Sequence, residues 1–415
     1  MFETPLTGLV LGGGGARAAY QVGVLRAITR IRRESGAPHR RNPFGVICGT
    51  SAGALNAAAL ACNADQFDQA VEGLATVWQD FRAEQVFRAD SLGVIRSGAR
   101  WLTMLSIGWA IARFRKLRPR SLLDNQPLGE LLHRLVPLHR LPRLLEGRHL
   151  HALAITASNY GSGEHVTFYQ AASSVQPWAR SQRLALSAQL TVPHLLASSA
   201  IPFIFPATEL PFVFGAAVEG TSGKQWFGDG SMRQTAPLSP AIHLGAQQLL
   251  IIGAGRMNEP AGQHTGMAEY PSLAQIAGHT LSGIFLDALA VDVERLKRIN
   301  RTLALLPPQV RDGTELQPIE ALVIAPSQRL DDIAAMHLDS MPAAVRALLR
   351  GVGVGSQGHG AQGGALASYL LFESAYTRPL LALGEADTLA RRDEVLAFFG
   401  WPGAGADPVG AATGR

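Results

Sequence analysis

Cysteine and lysine are both scarce in this chain of 415 residues. The only cysteines, Cys48 and Cys62, are too few for a disulfide framework and lack the His/Cys spacing of a zinc site. We therefore expect a reducing compartment and no structural metal. Only three basic residues are lysine, and the 37 basic and 32 acidic side chains leave a net charge of +5. This excess is small for the length, so we expect no nucleic-acid partner.

Long apolar runs are also missing. No uninterrupted run reaches the roughly 20 residues that span a bilayer, and the N-terminus lacks the basic and apolar regions of a secretory signal. The expected location is the cytoplasm. The nearest apolar run, Trp101–Ala112, is followed by basic residues up to Arg120. Residues 101–120 are expected either to contact the inner face of the membrane peripherally or to pack over the functional site.

Two strand–turn–helix units open the chain. The first comprises Thr7–Leu11, Gly12–Gly15 and Ala18–Ile31, and the second comprises Pro43–Cys48, Gly49–Gly53 and Ala54–Cys62. Successive units of this kind predict an α/β fold, a three-layer α/β/α arrangement with a mostly parallel central sheet. Ligand chemistry is then expected at the carboxyl ends of the strands.

The remaining pattern predicts the domain organisation. We expect a catalytic domain at residues 5–255 with a helical insertion or cap at 65–145, a C-terminal helical extension at 256–402 packed on it, and a loose tail at 403–415. Further strands are predicted at His151–Ala157, His165–Tyr169, Gln248–Ala254 and Ile319–Ile324. Further helices are predicted at Thr191–Ser199, Leu273–Leu305 and Ala361–Leu383.

The turn Gly49-Thr50-Ser51-Ala52-Gly53 matches the G-x-S-x-G nucleophile elbow. An elbow forces its serine into a strained backbone conformation, and small neighbours let strand and helix approach closely enough to leave Oγ exposed. Ser51 is therefore a candidate nucleophile. The alternative is an ordinary serine at a helix N-cap.

The glycine run that includes Gly13, Gly14 and Gly15 lies between a predicted strand and helix, just before Arg17. Unobstructed backbone N–H groups at a helix N-terminus suit an oxyanion or a phosphate. A dinucleotide fingerprint would place Ala18 at its third glycine, and no clear acidic residue ends a second strand about 20 residues on. A tight turn without a ligand is the remaining alternative.

Asp229 lies between two glycines after an aromatic strand end, in Trp226-Phe227-Gly228-Asp229-Gly230-Ser231. An aspartate at its reference pKa of about 3.9 is a poor base. It would need direct contact with Ser51 and a partly desolvated site. Otherwise Asp229-Gly230 is simply a turn.

These motifs resemble the patatin-like phospholipase family, in which a glycine-rich oxyanion loop, G-x-S-x-G, and Asp-Gly-Gly or Asp-Gly-Ala follow in this order. The matching residues are Gly13, Gly14, Gly15 and Arg17, then Gly49 to Gly53, then Asp229 and Gly230. Supporting stretches lie at Ser121–Leu132, Ala197–Pro206 and Pro237–Gly245, within a resemblance that runs from about Gly8 to Ala254. Two positions depart from the family pattern: Ala18 replaces a glycine, and Ser231 replaces Gly or Ala.

The resemblance implies a serine lipid-acyl hydrolase with a Ser51–Asp229 dyad, an oxyanion hole at Gly13 to Gly15, a lipid or phospholipid substrate and no cofactor. A Ser-His-Asp esterase is the alternative within enzymes, with His243, His264, His279, His337 and His359 after the acid and His194 before it. A catalytically silent lipid-binding or scaffold protein of the same fold is the alternative outside them.

Overall fold

The computed structural model describes residues 5–38, 42–88, 120–172, 175–211, 223–257, 270, 272–351, 353–354 and 364–402. The predictions for residues 101–119 and for the tail at 403–415 fall outside these ranges.

The strands of the described residues form one mixed sheet. In chain order they are β1 (Thr7–Leu11), β2 (Val46–Thr50), β3 (Ala152–Asn159), β4 (His165–Ala171), β5 (Trp178–Arg180), β6 (Arg183–Ser187), β7 (Thr208–Pro211), β8 (Lys224–Asp229), β9 (Gln248–Ile252) and β10 (Glu320–Ile324).

The α-helices of the same residues are α1 (Ala19–Glu34), α2 (Ala52–Ala61), α3 (Phe67–Gln79), α4 (Gln126–Leu135), α5 (Leu141–Glu146), α6 (Val192–Ser198), α7 (Ser239–His243), α8 (Leu273–Ser282), α9 (Ala288–Ala304), α10 (Pro308–Asp312), α11 (Leu330–Met336), α12 (Ala343–Gly351), α13 (Gly364–Leu370), α14 (Ser374–Leu389) and α15 (Arg392–Phe399).

The strand order is β10-β9-β1-β2-β3-β4-β6-β5. Strands β10, β9, β1, β2 and β3 are parallel, whereas β4 pairs with β3 in antiparallel orientation. Strand β8 also pairs with β3, antiparallel, beyond the point where β2 ends. The predicted mostly parallel sheet is confirmed.

Alternate residues of the central strands face two separate cores, because successive side chains of a strand point to opposite faces. Leu9, Leu11 and Ile47 belong to one core, which also contains buried residues of α1, α2, α3 and α14. Val10 and Cys48 belong to the other, with buried residues of α7 and α9. Helices thus cover both faces, and the predicted three-layer arrangement is confirmed.

The C-terminal part shares this framework. Strand β10 extends the sheet beside β9, and α14 packs along α1. In the described part of the helix predicted over Ala361–Leu383 there are two helices, α13 and α14. The break between them contains Phe372, whose ring packs near those of Trp78 and Phe81. The domain boundaries and the cap at 65–145 stay predictions.

By length and composition alone, the helical stretch Leu273–Ala304 could cross a membrane. It comprises α8, a π-helical turn at Gly283–Asp287 and α9. Its residues Leu289, Val293 and Leu296 are buried in the core beside β1 and β9. Core helices of soluble proteins and signal sequences meet the same criterion, and 33% of the most apolar window of this stretch is buried.

Candidate active site

Two strands end at neighbouring positions of β3. Thr50, the last residue of β2, pairs with Thr156, whereas Asp229, the last residue of β8, pairs with Ala157. Because β2 runs parallel and β8 antiparallel to β3, their carboxyl ends meet head to head. The strand register therefore places Ser51 and Asp229 next to each other, although they lie 178 residues apart in the sequence.

Ser51 occupies the turn between β2 and α2 with φ 56° and ψ −132°, a strained conformation for a residue with a side chain. Its N–H donates to Ser198 Oγ at 2.9 Å, and Ser198 Oγ in turn donates to the Thr156 carbonyl at 2.6 Å. The hydroxyl does not cap α2. It donates instead to Asp229 Oδ2 at 2.5 Å. Ser51 is 1% exposed, so the expected exposure of its Oγ is wrong: the residue is buried at this turn.

The glycines of this turn allow close backbone contact. A Cβ on Gly53 would lie 2.3 Å from the Leu11 carbonyl oxygen and 2.5 Å from that of Gly12. Gly49 lies in similarly close contact with the backbone of Gly53 and Ala54. Only a residue without a side chain fits at Gly53, so the turn rests directly on the end of β1, where the glycine loop begins.

Gly12, Gly13 and Gly14 connect β1 to a 3-10 turn at Gly15–Ala18, which leads into α1. Gly15 has a positive φ of 56°, and a Cβ there would lie 2.2 Å from the Tyr369 carbonyl oxygen. The ring of Phe285 lies against Gly13. Residues of the C-terminal region thus form part of the wall of this loop, a contribution that no sequence motif indicates.

Asp229 is fully buried, with 0% of its surface exposed. Its Oδ1 accepts a hydrogen bond from the Ser231 N–H at 2.9 Å. Burial raises the pKa of Asp229 to about 6, against the opposing effect of hydrogen bonds from Ser51 and Ser231. Gly230 follows, packed on the Thr156 carbonyl. The Asp-Gly turn and the contact with Ser51 therefore coexist, and the carboxyl group is a stronger base than a solvated one.

Arg17 does not contact the Ser51–Asp229 pair in the described residues. It is buried, forms an ion pair with Asp331 of α11 and donates through Nε to Ser368 Oγ at 2.8 Å. Its guanidinium lies 4.0 Å from the ring centroid of Tyr369. Arg17 therefore anchors the segment after the glycine loop to the C-terminal helices.

The histidines of the described residues form no hydrogen bond with Ser51 or Asp229. His194 accepts from the Thr191 N–H at 3.2 Å and packs edge-on against Phe168, and burial lowers its pKa to about 4. His243 stacks on Trp178. Histidines at two further predicted positions lie on α8 and directly after α11, namely His279 and His337. His264 and His359 lie outside the described residues.

Metal-binding side chains do not cluster in the described part of the chain. No group of three or more His, Cys, Asp or Glu residues there could hold a metal ion. Cys48 and Cys62 are both free and buried, and burial raises the pKa of each thiol.

Comparison with models of known protein families identifies the family of this chain. A model of the patatin-like phospholipase family matches residues 9–242, more than half of the chain. The chain therefore belongs to the patatin-like phospholipase family, a family of lipid hydrolases. No curated protein matches the chain in a sequence search.

Three solved structures to which the chain is similar share little sequence identity with it. Human GIVD cytosolic phospholipase A2 is 11% identical, with 96% of this chain and 60% of that chain covered and a TM-score of 0.45. VipD from Legionella pneumophila is 14% identical, with 91% and 67% covered and a TM-score of 0.28. The type III effector ExoU, of Pseudomonas aeruginosa, is 15% identical, with 95% and 88% covered and a TM-score of 0.27. The chain thus spans about 60% of the length of the human protein.

Proposed function

We propose that this protein hydrolyses carboxylic esters of acyl lipids, with phospholipids as the leading substrate class. Ser51 acts as the nucleophile, Asp229 as the general base, and the N–H groups of Gly13, Gly14 and Gly15 as the oxyanion hole. The observation that carries the proposal is the 2.5 Å hydrogen bond from Ser51 Oγ to Asp229 Oδ2 at a strained strand-to-helix turn.

The acylation step uses these groups in sequence. Asp229 takes the Ser51 hydroxyl proton as Oγ forms a bond to the ester carbonyl carbon. The carbonyl oxygen becomes an oxyanion facing the glycine loop. The tetrahedral intermediate collapses as the carbon–oxygen bond to the leaving alcohol breaks, and the proton on Asp229 passes to that alcohol. An acyl-Ser51 enzyme remains.

Deacylation repeats the chemistry with water. Asp229 accepts a proton from a water molecule whose oxygen attacks the acyl carbon. The bond to Ser51 Oγ then breaks, and Oγ recovers the proton from Asp229. The products are a free fatty acid and the starting enzyme, so the cycle consumes one ester and one water and needs no cofactor.

Burial of the pair supports a role for Asp229 as base. Ser51 and Asp229 are 1% and 0% exposed, so neither group is surrounded by bulk water. A carboxylate in such a site retains basicity that solvation would remove, which lets one side chain do the work that a histidine does in a triad.

The proposal is tested with the purified full chain and a fluorophosphonate probe, which reacts with activated serines. We expect labelling of the wild type and none of Ser51→Ala. Profiling of lipid classes after incubation with phospholipid vesicles, for both proteins, identifies the substrate. Absence of labelling and of lipid turnover in the folded wild type would favour a silent lipid-binding protein and refute the proposal.

The cellular setting follows from the same proposal. The substrate lies in a membrane, so we propose that the protein acts peripherally on a bilayer from the cytoplasmic side. Two free cysteines are in keeping with a reducing compartment.

A further inference from the structure

Ser231 brings a hydroxyl into the site at a position where the family pattern has Gly or Ala. It is 4% exposed, and it follows Gly230 in the short 3-10 turn Gly230–Arg233 after Asp229. Its backbone N–H already donates to Asp229 Oδ1 at 2.9 Å. The hydroxyl is therefore an additional polar group beyond the motif.

The Ser231 hydroxyl lies against the glycine loop. A Cβ built on Gly13 would be 2.3 Å from Ser231 Oγ, so the hydroxyl occupies the space that a side chain at Gly13 would take. Of the three loop glycines, Gly13 is the one in contact with both Ser231 and Phe285. This places the hydroxyl between the carboxyl group of Asp229 and the loop proposed to hold the oxyanion.

Ser231 Oγ is fully buried and has no hydrogen-bond partner of acceptable geometry among the described residues. It is nevertheless near enough to Asp229 to help hold down the pKa of that carboxyl group. A buried hydroxyl without a partner is unfavourable, and native proteins tolerate few of them. In an enzyme site, such a donor can hydrogen-bond a substrate atom that becomes a strong acceptor only during the reaction.

We propose that the Ser231 hydroxyl is a fourth oxyanion-hole donor, which hydrogen-bonds the ester carbonyl oxygen as it acquires negative charge. The inference rests on the proposed function, because it assumes attack by Ser51. Asp229 accepts from the Ser231 N–H at Oδ1 and from Ser51 at Oδ2, and the Ser231 hydroxyl forms no hydrogen bond of acceptable geometry with either oxygen. A substrate oxygen held at the glycine loop would give this hydroxyl an acceptor. Ser231 stays neutral throughout, and no proton leaves it.

The test compares wild type with Ser231→Ala and Ser231→Gly, which remove the hydroxyl and restore the residues usual in the family. We expect kcat to fall roughly 10²- to 10³-fold, by analogy with loss of one oxyanion donor. KM should stay near the wild-type value, and the midpoint of the pH–rate profile should rise only slightly, because the Ser231 hydroxyl is the smallest of the causes that lower the pKa of Asp229. A trifluoromethyl ketone analogue of the substrate, which forms a tetrahedral adduct with serine, should bind more weakly by a similar factor.

Ser158→Ala is the matched control, because the Ser158 hydroxyl is also buried without a partner among the described residues. Ser158 pairs with Gly228 in the sheet, so its side chain faces away from the side of Ala157 and Asp229. We expect its kcat to be unchanged. Circular dichroism and thermal melting establish that each variant is folded.

Three results would overturn the assignment. An unchanged kcat in both folded Ser231 variants shows that the hydroxyl contributes nothing, and an equal loss in Ser158→Ala shows a generic effect of lost packing. A pH midpoint that rises while plateau kcat is preserved shows that the hydroxyl acts on Asp229 instead. Should neither Ser231 variant fold, Ser231→Cys decides, because it keeps the side-chain size and replaces the hydroxyl with a weak donor. Weaker adduct binding than in the wild type is then expected, and equal binding overturns the assignment. Failure of the wild type to react with the fluorophosphonate probe would refute the proposed function itself, which is a separate outcome.

Discussion

Thr50 and Asp229 pair with consecutive residues of one strand, Thr156 and Ala157. The distance between the proposed nucleophile and base is therefore set by the backbone register of β3 and not by long flexible side chains. Ser198 reinforces this junction, since its hydroxyl links the Ser51 N–H to the Thr156 carbonyl. A pair held in this way is preorganised before the substrate arrives.

Replacement of Asp229 by Asn should lower kcat roughly 10²- to 10⁴-fold, because a general base contributes about this factor. The asparagine keeps the size of the side chain but cannot accept the Ser51 proton. Turnover of a soluble ester by the purified variant measures the loss. His194→Gln, which changes a buried histidine near the sheet, should keep near-normal kcat. A loss in the histidine variant comparable to that in Asp229→Asn would instead indicate a triad.

The pH dependence of kcat/KM should have a single acidic limb with a midpoint near 6. Burial raises the pKa of Asp229 to about 6, and only the ionised carboxylate can accept a proton. Below the midpoint the rate should fall about tenfold per pH unit. Steady-state assays between pH 4 and 9 measure this limb. A midpoint near 4 would show that the carboxyl group is solvated in the working enzyme.

Asp229→Asn should also stabilise the fold at neutral pH. The pKa of Asp229 is raised on folding, from 3.8 to about 6, so the native state holds its proton more tightly than the unfolded state does. The protonated carboxyl group therefore makes its whole contribution to the free energy of unfolding below about pH 4. This contribution is lost as pH rises through 6. At pH 8 the variant should be more stable by on the order of 3 kcal/mol.

Denaturant unfolding at pH 4 and pH 8 measures that difference. The stabilisation by Asp229→Asn should shrink or disappear at pH 4, where the wild-type carboxyl group is protonated in the native state. Equal effects at both pH values would show that the ionisation of Asp229 is not their cause.

Gly53→Ala should disrupt the site and cost at least 1–3 kcal/mol of stability, the usual range for overpacking in a core. The added methyl group would lie 2.3 Å from the Leu11 carbonyl oxygen, and backbone cannot move as a side-chain end can. Gly73→Ala in α3 is the control, because a methyl group added there would have nothing within 4 Å. That substitution should be stabilising by roughly 0.5–1 kcal/mol. Thermal melts of both variants test the contrast.

Arg17→Met should destabilise the protein by roughly 3–5 kcal/mol, the range seen when one partner of a buried ion pair is removed. The substitution leaves Asp331 without its cation and frees the 3-10 turn after the glycine loop from α11 and α13. Activity should fall with it, because the loop loses an anchor. The double variant Arg17→Met with Asp331→Leu should recover part of the stability. No recovery would show that the ion pair is not the source of the loss.

The sequence indicates the local chemistry well. The strand predicted at Thr7–Leu11 has the bounds observed, and the turn around Ser51 is expected from its small neighbours. These features depend on neighbouring residues: apolar runs favour strands, and glycine permits close approach. The short strands β5, β6 and β7 are not predicted, because segments of three to five residues are too short to carry a clear periodic signal.

The identity of the catalytic candidates is thus contained in the sequence alone, since Ser51 and Asp229 lie in recognisable motifs. What only the tertiary structure decided is their contact, which follows from strand pairing across 178 positions. The same holds for the elevated pKa of Asp229, which arises from burial, and for the packing of Phe285 and Tyr369 on the glycine loop. Desolvation and long-range register are properties of many residues assembled together, and no local pattern encodes them.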